Sequence, residues 1–289
     1  MTAPDTKVQP TARSLECLEV WGGNDAFEGA ISVPGLDVWV CSDPHESQAH
    51  GGDIHYISMC KCHSISRFVV ADVSGHGEQV DGLARSLRKM MRKHINTPDQ
   101  TRLVRSLNRA FDRLKQEGRF ATALLATYYP PSDQLILCNA GHPPPLWFNK
   151  TSGVWRLLTN DAQNTRGVGG VWNLPLGIIG KTTYTQFAVK LALGDLVLIY
   201  TDPLIESPGP DGRMLGPQGL LRLVAELDTD QPQRIMPELL DRLQAYRHGQ
   251  PPDDDQTLLV LHHNASDPPK LSLAEKMRVM TKMLRLNIE

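Results

Sequence analysis

Four acidic residues stand where acids are costly. FVVADVSGHG (68–77) is an apolar run that stops on Asp72 and a Ser-Gly-His-Gly turn, and DLVLIYTD (195–202) stops in the same way on Asp202. Burying a carboxylate is expensive and a Gly-rich turn weakens packing, so an acid at the end of a buried strand calls for a use. Asp53 opens DIHYISM (53–59), and Asp253, Asp254 and Asp255 directly precede QTLLVLHH (256–263). If 53–59 and 65–72 fold back near Cys62–His63, opposed residues have numbers summing to about 125, which sets Asp53 across from Asp72. If 195–202 and 256–263 are also antiparallel, Asp202 meets the acids before Gln256 at one edge. The spacing leaves open whether the two edges coincide. Carboxylates gathered in one cleft repel, and they stay ionised there only with cations among them. Hard oxygen donors suit Mg²⁺ or Mn²⁺, and two such ions would activate a shared water and stabilise an in-line displacement at phosphorus. The plainer reading of each Asp alone is a turn former or helix cap.

The elements that must position these acids follow from pattern. Strands are expected at 36–42, 53–59, 65–72, 121–129, 134–141, 145–150, 185–192, 195–202 and 256–263, with Pro-Pro-Ser-Asp (130–133) turning a hairpin. Helical spacing appears at 78–95, where Val80, Leu83, Ala84, Leu87, Met90, Met91 and Ile95 form one stripe, and again at 99–117, 217–227 and 233–246. Hairpin-like strands with helices in blocks predict an α+β fold, not alternating βαβ units. Residues 1–15 read as a flexible leader, 16–264 as one domain, and 265–289 as a linker and C-terminal amphipathic helix. That helix opens on a Ser272/Glu275 capping box. Its apolar stripe would pack back on the domain, pair with a second copy in a homodimer, or touch a membrane surface.

Totals narrow the function. The 289 residues are 40% hydrophobic and 21% charged, enough for a sizeable core and unlike a disordered or fibrous chain. A formal charge of −2 argues against a general nucleic-acid binder. Five scattered cysteines fit a reducing compartment better than a disulfide framework. No apolar run is long enough for a transmembrane segment and the start carries no signal-peptide core, so a cytoplasmic protein is expected.

Several other residues read two ways. His76 could protonate a departing serine oxygen as a general acid, or simply brace the turn. His142, in NAGHPPP, reads as a structural hydrogen-bonding residue near the site. CKCH (60–63) lacks the distant second pair of ligands expected of structural zinc, so a hairpin turn is the reading. Arg85, Arg88, Lys89, Arg92 and Lys93 oppose the apolar stripe of 78–95, as a solvated face or a dock for an acidic partner. NTRGVGGVWN (164–173) reads as a loop, with a substrate flap carrying Arg166 as the sharper alternative.

Taken in order, these motifs resemble the metal-dependent (PPM-type) serine/threonine protein phosphatases, in their SpoIIE/RsbU-like bacterial branch. The resemblance is carried by GGDIHYI (51–57), ADVSGHG (71–77), ATALLATYYPPSDQLILCNAGHPPPLWF (121–148), LPLGIIG (174–180), LALGDLVLIYTDPLIES (191–207) and DDDQTLLVL (253–261), and covers roughly 35–262. It implies a central antiparallel β-sandwich flanked by helices, in α-β-β-α layers. It further implies two Mn²⁺ or Mg²⁺ ions, with Asp72 bridging them, the Val73 carbonyl as a ligand, and Asp53, Asp202 and Asp254 holding them directly or through water. Asp253 and Asp255 are the alternative registers for Asp254. The implied activity is hydrolysis of phosphoserine or phosphothreonine by metal-bound hydroxide, on a phosphorylated regulatory protein of anti-anti-sigma (STAS-like) type, in signalling. One departure is Pro203 in YTDPLIE, where relatives usually carry Gly; proline biases Asp202 away from the α region. The alternatives are a catalytically silent binding protein of the same fold, with Pro203 as its main support, and a hydrolase of small phosphate esters.

Overall fold

The computed structural model describes residues 12–45, 49–74, 78–97, 99–112, 120–159, 173–180, 182–209 and 212–266. The chain runs through β1 (Arg13–Ser14), β2 (Val20–Asp25), β3 (Phe27–Val33), β4 (Leu36–Asp43), β5 (His50–Met59) and β6 (Ser66–Val73). Helices α1 (Glu78–His94) and α2 (Gln100–Asp112) follow, then β7 (Ala121–Tyr129), β8 (Gln134–Ala140), β9 (Leu146–Asn149), β10 (Val154–Leu157), β11 (Phe187–Lys190) and β12 (Leu196–Tyr200). The short α3 (Pro203–Glu206), then α4 (Gly216–Ala225) and α5 (Pro232–Tyr246), lead to β13 (Gln256–His263).

Two sheets result. One has the order β1-β3-β4-β13-β12-β9-β10 and the other β11-β8-β7-β6-β5-β2. The apolar strand runs are continuous because both faces of each sheet are covered. Alternate residues of β6 show it: Phe68 and Val70 face the other sheet, meeting Val38, Val40, Ile199 and Leu259 in the middle layer. Val69 and Ala71 point the other way, toward Leu83, Leu87 and Met91 of α1 and Leu103 and Leu107 of α2. Across the sandwich, Leu198, Tyr200, Leu258 and Val260 pack on Leu220 and Val224 of α4 and Ile235, Leu239 and Leu243 of α5. The layers are α-β-β-α, as expected. Each fully buried aliphatic or Phe side chain contributes about 1.5–3 kcal/mol, so Phe68→Ala in the middle layer would cost about 3–5 kcal/mol.

Strand β6, which delivers Asp72, is braced at its other end by a buried cation. Arg67 Nε donates to Thr127 Oγ1 at 3.0 Å, and its Nη atoms donate to the carbonyls of His94, at 3.0 Å, and Thr97. Carbonyls at a helix C-terminus have no partner within the helix, so Arg67 supplies one and ties α1 to the sheet. Desolvation lowers the Arg67 pKa to about 10, which still leaves it charged at neutral pH.

Three residues of the stretch read as a leader belong to the fold: Arg13 and Ser14 pair in parallel with Ile31 and Ser32, and Leu15 is buried. Strands β2, β3 and β10 and helix α3 were not anticipated. The C-terminal helix expected within 265–289 lies outside the described residues from 267 onward, as does most of the 164–173 loop.

Candidate active site

The β5–β6 hairpin has the register that the numbering predicts. Asp53 pairs with Asp72, Ile54 with Ala71, and the ladder continues to Met59 and Ser66. On the far side of β6, Asp72 faces Thr122 of β7. In the other sheet β12 and β13 are antiparallel, with Tyr200 opposite Leu258, so Asp202 and the acids before Gln256 leave the ladder together.

The two edges do coincide, and a threonine joins them. Asp53 is 3% exposed, and its Oδ2 accepts a hydrogen bond at 2.7 Å from Thr201 Oγ1 in the opposite sheet. Thr201 Oγ1 itself accepts from Thr257 N at 2.9 Å, while Thr201 N donates to Thr257 O at 3.0 Å. Thr257 reaches Ser42 Oγ at 3.1 Å. A buried carboxylate is thus held by a hydroxyl whose own direction is set by a backbone amide.

Electrostatics places the remaining acids around Asp72. Its pKa is pushed up to about 7, first by burial, then by the charges of Asp202, Asp254, Asp255 and Glu206. Burial and then Asp72 hold Asp53 well above the usual carboxylate range, with the Thr201 bond partly opposing them. Asp202 is raised by burial, then by Glu206 and Asp254. The set is over-supplied with negative charge, as hard-cation sites are before a cation arrives. Among the described residues, no three His, Cys, Asp or Glu side chains are grouped closely enough to hold a metal ion as they stand.

The three consecutive acids have different places. Asp255 Oδ1 accepts from His45 N at 2.6 Å and its Oδ2 from Gly52 N, so this side chain locks the acid loop onto the start of β5. The approach is so close that a Cβ on residue 51 would lie 2.7 Å from Asp255 Cγ, which explains the glycine there. Asp254 is exposed, and its Oδ1 accepts from Asp255 N at 2.8 Å. Asp253 and Asp254 line a cleft of about 120 Å³ with Pro203, Glu206 and Arg247. Arg247 Nη1 reaches Ser207 Oγ at 3.3 Å and Gln256 Oε1 at 3.2 Å, which ties α5 to both acid-bearing loops.

The expectation that Pro203 would push Asp202 out of the α region is corrected. Asp202 has φ −53° and ψ −38°, and Pro203 is the first residue of α3. Proline suits a first helical position because no intrahelical partner is lost there. Ile205 N and Glu206 N both donate to Asp202 O at 2.9 Å, and these bonds outweigh the local preference.

Val73 is the buried last residue of β6, beside Ala121. His76, with Gly75 and Gly77, lies outside the described residues. His142 is structural as expected: Nδ1 pairs with Thr122 Oγ1 at 2.8 Å, and its backbone is clamped by Asn139, which accepts from His142 N and donates to His142 O at 2.8 Å each. Sequence reasoning missed the roles of Thr201, Thr257, Glu206 and Asp255. For the threonines the available signal was their repeated position within two residues of an acid, in YTD and DDDQT.

Comparison with known proteins bears on the family and the fold. The family model for Stage II sporulation protein E (SpoIIE) matches residues 65–264. The phosphoserine phosphatase RsbU of Bacillus subtilis (strain 168) is 25% identical over 236 residues, 81% of this chain and 62% of that protein, so the chain spans under two thirds of that relative. Among solved structures, the PP2C phosphatase domain of SpoIIE from Bacillus subtilis, with a fragment of its regulatory domain, superposes with a TM-score of 0.65 at 18% identity, over 81% of this chain and 63% of that one. RsbX in complex with magnesium gives a TM-score of 0.57 at 16% identity, over 82% and 99%. Likeness at these identities establishes the fold. Among the described residues no helix is long and apolar enough to cross a membrane.

Proposed function

We propose that this chain, which belongs to the SpoIIE family, is a metal-dependent phosphatase that removes phosphate from serine or threonine of a regulatory protein. The observation that carries the reading is the meeting of Asp53 and Asp72 from one sheet with Asp202 and Asp254 from the other, at an edge where burial, and then the neighbouring negative charges, raise the pKa values of Asp72 and Asp202. The donor set is all hard oxygen and fits Mg²⁺ or Mn²⁺, a fit supported by the magnesium complex of the similar protein RsbX. Asp53, Asp72, Asp202 and Asp254, with the Val73 carbonyl, would hold two such ions. Bound there, the ions would supply an activated water and neutralise charge on a phosphoryl group.

The chain's own residues divide the remaining work. Thr201 fixes the orientation of the Asp53 carboxylate, and the β5–β6–β7 ladder fixes Asp72. Asp255 spends its carboxylate on backbone amides, which keeps the loop rigid and leaves Asp254 free to face the cleft. His76 is the candidate proton donor to the departing oxygen.

RsbU, by its name, acts on phosphoserine, which supports a phosphoserine group as the substrate here. An anti-anti-sigma (STAS-like) regulator in the cytoplasm is the partner this reading selects. The silent-binder alternative loses its main support, because Pro203 is accommodated as the first residue of α3.

The test is hydrolysis of a generic phosphate ester and of a phosphoserine protein with and without Mn²⁺, for wild type and Asp72→Asn. Metal-dependent turnover that the substitution abolishes is expected. Absence of metal-dependent turnover on both substrates would sink the enzyme reading, and turnover of the ester alone would leave only the small-ester hydrolase.

A further inference from the structure

The end of the β5–β6 hairpin opposite the acids is built from thiols. The turn from Cys60 to Ile65 is closed by Cys60 N donating to Ile65 O at 3.0 Å and His63 N to Cys60 O at 3.2 Å, with His63 at φ +51°. Within it the Sγ atoms of Cys60 and Cys62 lie 3.6 Å apart. Ser64 Oγ is 2.9 Å from Cys62 Sγ and 3.6 Å from Cys60 Sγ. Cys60 is buried and Cys62 exposed. A third thiol docks on the turn from outside: Cys17 Sγ lies 3.1 Å from both Lys61 O and His63 Nε2.

We propose that Cys60 and Cys62 are a peroxide-oxidisable pair, in which Cys62 is the attacking thiolate and Cys60 the resolving thiol. The Cys62 sulfur attacks a hydroperoxide, the O–O bond breaks, and Cys62 becomes a sulfenic acid as the peroxide leaves as alcohol or water. The Cys60 thiol then attacks the sulfenic sulfur, its proton joins the departing hydroxyl as water, and an S–S bond forms. Two electrons pass from the two thiols to one peroxide, and a reducing dithiol reverses the change. This is the arrangement that redox-sensing cysteines adopt: one accessible thiolate poised beside a resolving thiol.

The chemistry of the individual thiols supports the assignment. Partial burial pushes the Cys62 thiol up, but hydrogen bonds from Ser64, Cys60 and the backbone outweigh it and lower its pKa. Burial raises Cys60, as suits a thiol that waits, attacking only after its neighbour is oxidised. Cys41 and Cys138, away from the turn, are pushed up to about 12 by burial and are poor nucleophiles. A soft-metal site is the rival for such a turn, but CKCH lacks the distant second pair of ligands that a structural zinc takes.

The experiment treats the reduced full chain with hydrogen peroxide, blocks remaining thiols, and maps the tryptic peptides. Trypsin cuts after Lys61, between the two cysteines, and a second digestion at glutamates cuts after Glu19 and Glu46, which separates Cys60 from Cys17 and Cys41, so the disulfide appears as peptides 47–61 and 62–67 that stay joined until reduced. Expected are the loss of two of the five thiols, with a mass lower by about 2 Da, at peroxide levels that leave Cys41 and Cys138 unmodified. Cys62→Ser should abolish the loss, Cys60→Ser should leave a sulfenic acid trapped by dimedone, and Cys17→Ser should change neither. If Cys60→Ser does not fold, the exposed Cys62→Ser still decides. Joined peptides that contain Cys17, no joined pair, or one tightly held zinc per chain that shields the thiols would each overturn the assignment. None of these readouts depends on phosphatase activity.

Discussion

Removing the Asp72 carboxylate should stabilise the metal-free protein at neutral pH while destroying its chemistry. Asp72 has a pKa near 7 in the folded state against 3.8 ordinarily. Folded protein therefore holds this proton across a pH range where the unfolded chain has already released it. The stability contribution is full below about pH 3.8 and is lost as pH rises to about 7. Each pKa unit corresponds to about 1.4 kcal/mol, which gives about 4 kcal/mol, reduced to about 2–3 kcal/mol because the carboxyl is partly solvated. Urea denaturation in EDTA should thus find wild type less stable at about pH 8 than at about pH 5, with Asp72 carrying about 1–2 kcal/mol of the difference, since over a third of its effect already lies below pH 5. Asp72→Asn should remove that part of the difference, leaving the shares carried by Asp53 and Asp202, whose pKa values are raised in the same direction. Mn²⁺ should restore wild type at the higher pH, since a ligand that binds only the folded state stabilises it. Equal stability of metal-free wild type at both pH values, or an undiminished difference in the variant, would refute the claim that these acids are crowded.

Three further substitutions probe the supports of the site. Thr201→Val keeps shape but strands Asp53 Oδ2 and Thr257 N, so a loss of about 1.5–3 kcal/mol is expected in urea titration, and no loss would mean that the inter-sheet bond is not made. Gly51→Ala would place a Cβ 2.7 Å from Asp255 Cγ; the acid loop should withdraw, with kcat/KM falling about tenfold or more for about 1–3 kcal/mol of stability, read from ester hydrolysis and thermal melting. Arg67→Met strands the carbonyls of His94 and Thr97 far from the acids. It should cost about 2–4 kcal/mol in denaturation while the activity per folded molecule stays near wild type.

The β5–β6 pairing was legible because two continuous apolar runs flank a short turn and carry acids at their outer ends, so one numerical constraint set the register. The stripe of α1 was equally readable, since Leu83, Leu87 and Met91 recur at helical spacing and bury together. Strand β2 was hidden by its own composition. Val20–Asp25 reads VWGGND, a turn-like string, yet Gly22 at φ +112° lets the strand pass His55 so closely that a Cβ there would sit 2.2 Å from its carbonyl oxygen. The convergence of the two acid-bearing edges could not be read from spacing, because it depends on how the sheets stack. The division of labour between Asp254 and Asp255 was equally out of reach, since it is decided by two backbone amides at His45 and Gly52.

The hydroxyl that spans the sandwich from Thr201 to Asp53 joins residues 148 positions apart, and its own orientation depends on an amide in β13 near the end of the domain. Contacts of such long range form only after most of the chain has been made and collapsed. The catalytic edge is therefore among the last features to mature, and no fragment confined to either sheet can carry it. If the site has the proposed function, it would stay silent during the chain's own synthesis, with competence arriving only when the two sheets close on each other.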